Sequence, residues 1–146
     1  MPVKLGKNAK MYRNTAVYAT PTWVEVKNVM DLTYSRDKSE AEASTRGYGG
    51  YRARKGALKD LSLDFDMAYD EVDPDVVAIE DSYDNDTILD VLVLSGPLNV
   101  SGSRGIRADV ECFKFEKSED LEDIQKVSVA LKPAYSTHPP TPFVVP

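Results

Sequence analysis

The chain has few of the residues from which most enzyme and metal sites are built. It contains one cysteine, Cys112, and one histidine, His138, among 146 residues. A single cysteine cannot form a disulfide within the chain, and one histidine with one cysteine is too few for the usual zinc sites or for a Cys/His or Ser/His/Asp nucleophile. The composition therefore favours a protein that is not an enzyme and that uses no metal or cofactor.

Long hydrophobic runs are also lacking. Stretches such as residues 91–94 are only a few residues long, whereas a helix that spans a bilayer needs about 20. The first ten residues contain three lysines with no apolar run behind them, so we expect no signal peptide, synthesis in a cytoplasm and no membrane contact. A mass of 16.2 kDa predicts one domain over residues 1–146.

The charge is unevenly distributed. The formal net charge is −6, yet residues 60–90 contain twelve acidic residues and neither lysine nor arginine. Residues 36–56 contain six basic and three acidic residues. Such a chain has one strongly negative region and one positive segment, and a solvated acidic face is the simplest interpretation of the negative region.

Alternating apolar and polar residues indicate a mainly β fold. Residues 61–70 alternate most regularly, and residues 23–35, 87–94, 105–116 and 127–131 also favour strands. A strand irregularity is expected near Asn28. These segments predict a sandwich or barrel of antiparallel strands.

One short helix is expected beside this sheet. Asp73 followed by Pro74 is typical of a helix start, and Val76, Ile79 and Tyr83 recur at helical spacing. The pattern predicts a flanking helix over about residues 73–83.

Two segments lack the pattern of packed structure. Residues 36–56 contain no large aliphatic side chain and are interpreted as a long, charged, glycine-rich loop or arm. Residues 133–146 are proline-rich and end in an apolar tip, which predicts an extended C-terminal tail of the kind that docks onto a neighbour.

Two functional alternatives arise from individual motifs. Residues 46–54 resemble the Arg/Gly/Tyr segments that bind single-stranded nucleic acid, although a flexible hairpin loop explains them equally well. Asp64 and Asp66 share a strand face at about 7 Å, a spacing found for paired carboxylates in glycosidases, but an exposed polar face is the simpler interpretation.

Four stretches, taken in order, resemble the major tail tube proteins of long-tailed bacteriophages and prophages. They are residues 23–29, 38–47, 56–65 and 121–127, and the similarity extends over roughly residues 20–135. The resemblance implies a β-sandwich or barrel with one flanking helix and a subunit that forms hexameric rings. Such rings stack into a tube through which DNA leaves the capsid.

The resemblance also implies partners and roles for individual residues. A long charged loop in this family bridges successive rings, which assigns an inter-ring arm here to Lys38, Glu40, Glu42, Arg46, Arg52 and Arg54. A negative lumen lets DNA pass without specific binding, and Asp64 and Asp66 are the candidate lumen-facing acids. The expected partners are further copies of the chain and tail tip or terminator proteins, and the expected location is the virion tail. A tube of the type VI secretion kind is the alternative within the same superfamily.

Overall fold

The computed structural model describes Val3, residues 5–119 and residues 121–146. Eight strands and one α-helix form its regular structure. The strands are β1 (Lys10–Asn14), β2 (Trp23–Glu25), β3 (Val29–Glu42), β4 (Arg54–Ala68), β5 (Leu89–Leu94), β6 (Arg104–Ser118), β7 (Lys126–Pro133) and β8 (Thr141–Val144), and the helix is α1 (Pro74–Asn85). The prediction of a mainly β fold with one short helix is confirmed.

The strands form one antiparallel sheet in the order β2-β1-β5-β6-β7-β4-β3, with β8 also paired to β6. Strand β6 is central because its first half pairs with β5 and β8, and its second half pairs with β7. Strand β8 continues the line of β7 along the same edge of β6, since Pro133 lies opposite Val110 and Thr141 lies opposite Arg107.

The sheet curls around its main apolar core. Side chains from β1, β4, β5, β6, β7 and α1 belong to one buried cluster, which requires the sheet to fold over on itself. The two ends of the sheet order also lie close together, because residues of β1, β2 and β3 line one cavity of about 820 Å³. The fully buried members include Leu63, Met67, Val76, Ile79, Val110, Val127 and Leu131.

Residues at the two ends of helix α1 define where it begins and ends. The Asp73 side chain accepts a hydrogen bond from the backbone N–H of Asp75 at 3.0 Å, and Asp86 ends the helix in the left-handed region at a φ of 58°. Val76 and Ile79 are buried, but Tyr83, which recurs with them at helical spacing, is half exposed, and Ser82 is buried instead. The Ser82 hydroxyl bridges the backbone, because it donates to the carbonyl of Thr87 and accepts from the N–H of Cys112.

About half of the loop predicted over residues 36–56 is strand. Residues 36–42 belong to β3 and residues 54–56 to β4, and they pair in register from Arg36 opposite Leu61 to Glu42 opposite Arg54, with one irregularity. The interpretation as a loop was wrong for these residues because neither face of the hairpin is buried here, so no apolar alternation marks it. We call residues 36–60 the arm.

The C-terminal tail docks onto its own chain. Strand β8 pairs with β6, and the N–H of Val145 donates to the carbonyl of Ser103 at 2.9 Å. Val145 is buried in a second apolar cluster on the outer side of the sheet, together with Tyr12, Leu92 and Leu94. Val145 is therefore covered within the subunit, whereas Val144 beside it is half exposed, and docking of the tip onto a neighbour stays a prediction.

Candidate assembly surfaces

One exposed face of the sheet carries mostly small or polar side chains. It is formed by β3, β4, β7 and the second half of β6, whose other face packs on the core. Asp64 and Asp66 both lie on this face, where Asp64 accepts from Ser62 at 3.1 Å and Asp66 accepts from Ser128 at 2.8 Å. The other side chains on this face, read from the strand registers, are Thr33, Ser35, Lys114, Glu116 and Ala130.

Both edges of this four-stranded part have unpaired segments. Strand β3 ends the sheet order, so its fourteen residues have a strand partner on one side only. At the opposite edge, β5 stops pairing with β6 at Val110, and the N–H of Cys112 is covered by Ser82. Residues 113–118 of β6 then have no strand partner on that side within the described part of the chain. Exposed edges of this kind present backbone donors and acceptors to another chain.

The arm extends this sheet beyond the body of the molecule. Strand β7 pairs with β4 only from Leu63 to Ala68, so the arm continues for seven paired positions or more without a third strand. At about 3.3 Å per residue, this extension is roughly 20 Å long. A turn through Arg46–Tyr48 and left-handed Gly49 closes it.

The residues assigned to the arm fall into two groups. Arg52 pairs with Glu42 at 2.9 Å, and Arg54 pairs with Glu40 at 3.2 Å. The Arg52 hydrogen bond lowers the pKa of the Glu42 carboxyl, with Ser44 contributing in the same direction. Lys38 and Arg46 have no carboxylate within ion-pair distance among the described residues. The ion pairs therefore link the two sides of the hairpin, and Lys38 and Arg46 lack an acidic partner within the described part of the subunit.

Two like-charge pairs stand side by side at the base of the arm. Lys38 lies directly opposite Lys59, and Asp37 lies directly opposite Asp60. Because successive residues of a strand point to opposite faces, the lysines lie on one face and the aspartates on the other. Like charges at directly opposed positions destabilise a hairpin. The sequence showed these charges but not their register, because the segment was interpreted as a loop.

The outer face of β5 and β6 carries a column of stacked side chains. Arg107 donates to Asp90 at 2.6 Å, and its guanidinium lies 3.7 Å from the ring centroid of Tyr18. The His138 ring stacks on Tyr18 with centroids 3.7 Å apart. The hydrogen bond from Arg107 to Asp90 raises the pKa of the guanidinium, although burial opposes this. This column attaches the tail to the body and was not visible in the sequence.

The described residues hold no group of three or more His, Cys, Asp and Glu side chains placed to bind a metal ion. No helix in the described part of the chain is long and apolar enough to cross a membrane. Cys112 is buried, and burial raises the pKa of its thiol to about 11, with a backbone hydrogen bond of Lys114 opposing the shift.

The sequence matches no protein-family model and no curated protein. Among solved structures, the chain is similar to one from the tail of an empty gene transfer agent particle with sixfold cyclic symmetry. That likeness has 12% identity and a TM-score of 0.68, and it covers 92% of this chain and 96% of the other.

Two further structures extend the comparison. A chain of the SPP1 tail tube is 17% identical with a TM-score of 0.68, over 89% of this chain and 75% of the other. A chain of the sheath–tube complex of an extracellular contractile injection system is 8% identical with a TM-score of 0.61, over 99% and 93%. The chain therefore shares its fold with chains from phage tail, tail tube and contractile injection assemblies.

Proposed function

We propose that the chain is a structural subunit that assembles as hexameric rings, which stack into the tube of a phage or prophage tail. The observation that carries this proposal is the match of nearly the whole chain to chains of tail and tube particles, one of them with sixfold symmetry. The role is structural and requires no catalytic residue, metal or cofactor.

Ring closure follows from the two unpaired edges. Strand β3 of one subunit adds to residues 113–118 of β6 in the next, and repeating this contact closes the four-stranded parts of six subunits into one barrel. The core face of each part carries the rest of its subunit, and this bulk supports an arrangement with the core face outside. In that arrangement the polar face with Asp64 and Asp66 lines the lumen.

A lumen with these side chains suits the passage of DNA. Carboxylates repel phosphates, and the one lysine named on this face, Lys114, is paired with Glu116. The small hydroxyl side chains offer no apolar surface for bases to stack on. DNA thus moves through the tube without specific binding. Tail tip and terminator proteins are the partners expected at the tube ends, and the virion tail is the location.

The alternative of a nucleic-acid-binding module has less support. Two of the three arginines in residues 46–54, Arg52 and Arg54, are neutralised by Glu42 and Glu40. A phosphate-binding segment needs free cations.

Tubes with and without a surrounding sheath are both compatible with this fold, because the matches include contractile systems.

Negative-stain electron microscopy of the purified protein at increasing concentration tests the proposal. We expect rings and tubes of uniform diameter, and a strictly monomeric protein at high concentration would contradict it. A variant with residues 39–58 replaced by Asn-Gly joins Lys38 to Lys59 through a two-residue turn and removes most of the arm. This variant should form rings that do not stack, and normal tubes from it would exclude a stacking role for the arm.

A further inference from the structure

A groove of about 690 Å³ runs between the base of the arm and the C-terminal tail. One wall carries Arg36, Lys38 and Lys59, and prolines of the tail form an apolar wall with Ile106. The lining residues also include Pro133, Pro139, Pro140 and Pro142. The lining thus combines apolar prolines with three cations. It also includes Asp37 and Asp60, whose side chains lie on the opposite face of the hairpin from the two lysines.

The cations of this groove lack acidic partners within the described part of the subunit. Lys38 and Lys59 oppose each other across the hairpin, and neither has a carboxylate within ion-pair distance in those residues. Arg36 lies 5.6 Å from the ring centroid of Tyr34. A partner that brings negative charge would relieve the repulsion between the two lysines.

The loop between β6 and β7 has the complementary character. Leu121 is 99% exposed, and Ile124 beside it is half exposed. The charged residues around Leu121 include Glu119, Glu122 and Asp123. The loop thus presents a fully exposed apolar side chain among acidic residues.

The turn at residues 69–73 adds negative charge to the same end of the molecule. The N–H of Tyr69 donates to the carbonyl of Gln125 at 2.9 Å, which joins residues 69–73 to the loop. Asp70 and Glu71 lie in that turn, and Val72 is 82% exposed. Lys117 and Lys126 are already paired with Glu119 and Asp123, so Glu122, Asp70 and Glu71 supply the excess negative charge.

The loop and the groove lie at opposite ends of the molecule. Strand β7 begins at Lys126, next to the loop, and ends at Pro133, which lines the groove. Its eight residues separate the two by roughly 25 Å at about 3.3 Å per residue. A subunit cannot bring its own loop to its own groove across a paired strand, so a loop that fills the groove comes from another copy.

We infer that residues 121–125 of one subunit seat in the groove of a subunit in the adjacent ring. Leu121 packs against the tail prolines, and Glu122 faces Lys38 and Lys59. The contact is head to tail, so it propagates along an axis and does not close in a pair. This inference rests on the proposed function, and it names the surface on which successive rings meet.

A charge exchange between Lys59 and Glu122 tests the contact. Lys59→Glu and Glu122→Lys should each lower the yield of tubes at least tenfold while rings persist, and the variant with both changes should restore tubes to within threefold of the unmodified chain. Both side chains are exposed, and far-UV circular dichroism checks the fold of each variant. Tubes that form normally with either single change, or that fail to return with both, would overturn the inference.

The apolar half of the contact has its own variant. Leu121→Ser should give rings without tubes, and Val17→Ser, at a 65% exposed valine elsewhere, should leave tubes intact.

Cross-linking tests the contact directly. In tubes of a Lys59→Cys/Glu122→Cys variant, a short bismaleimide should link subunits into a ladder of bands on a denaturing gel, whereas absence of the ladder counts against the contact. If the unmodified chain forms neither rings nor tubes, the proposed function fails; if it forms tubes that these changes do not affect, only this inference fails.

Discussion

The Nε of Arg13 donates to Oδ1 of Asp75 at 2.8 Å, and both side chains are largely buried. This ion pair joins β1 to the first turn of α1. The carboxylate lies at the N-terminal end of the helix, where the macrodipole also favours negative charge.

Removing one partner of this pair leaves a buried charge without compensation. Arg13→Ala should therefore lower the free energy of unfolding by about 3 kcal/mol, measured by urea denaturation. Lys114→Ala breaks the exposed pair with Glu116 and serves as the control, with an expected change of about 0.5 kcal/mol or less. Equal losses of unfolding free energy for the two substitutions would show that burial of the Arg13–Asp75 pair does not increase its contribution to stability.

Gly105 is required by the close approach of two strands. A Cβ at this position would lie 1.6 Å from the carbonyl oxygen of Val93, and a backbone atom cannot move aside without disrupting the β5–β6 pairing. Gly105→Ala should destabilise the protein by about 3 kcal/mol or more in thermal unfolding. Gly47→Ala, where the nearest atom is 3.9 Å away, should have almost no effect. A melting temperature for Gly105→Ala equal to that of the unmodified chain would contradict the close pairing of β5 with β6 at this position.

The C-terminal tail should stabilise the subunit that carries it. Val145→Asp places a carboxylate in the cluster with Tyr12, Leu92 and Leu94, so the tail should detach and expose those side chains. We expect a loss of about 2 to 3 kcal/mol and increased binding of an apolar dye. Val144→Asp changes a half-exposed neighbour and is the matched control. A tail that serves only a neighbouring subunit would give equal stability for both variants as monomers.

Cys112 predicts a loss of stability at alkaline pH. The folded pKa of about 11 lies above the ordinary value of 9.0, so the folded chain retains a proton that the unfolded chain releases. The stabilising contribution is complete below pH 9 and disappears as the pH rises towards about 11. Between these limits stability should fall by roughly 1 to 2 kcal/mol more than in Cys112→Ala, each compared with its own value at about pH 8. Parallel pH profiles would show that the thiol does not ionise differently on folding.

The lumen assignment predicts that charge reversal creates DNA binding. Asp64→Lys should leave ring formation intact, since the side chain is exposed and bonds only to Ser62 among the described residues. Tubes of this variant should retain short DNA in a sedimentation assay at low salt, and the unmodified tubes should not. Asp84→Lys, on the exposed side of α1, makes the same charge change elsewhere. Equal retention by both variants would place Asp64 outside the lumen.

The sequence predicted the elements whose signals are local. Alternation in β4 and the Asp73–Pro74 start of α1 depend on residues close in the chain, and both were confirmed. The helix face was partly wrong because Ser82, a polar residue, is buried through hydrogen bonds to the distant Cys112 and the nearby Thr87. Hydropathy alone gives no sign of such a contact.

Elements stabilised only by pairing were harder to predict. The arm has two solvated faces and no apolar period, and β8 is a proline-containing strand that pairs along one edge. The polar face of Asp64 and Asp66 was correctly placed on one side of β4, but its neighbours on β3 and β7 needed the register. The groove unites Lys38, Lys59 and the tail prolines, which are far apart in the sequence.

Cryo-electron microscopy of the particles formed by the purified chain would resolve both the ring contact and the channel lining. We expect stacked rings of six subunits in which β3 of each subunit pairs with residues 113–118 of the next, and in which Asp64 and Asp66 face the channel. Particles without a channel, or rings closed through other surfaces, would contradict the proposed assembly.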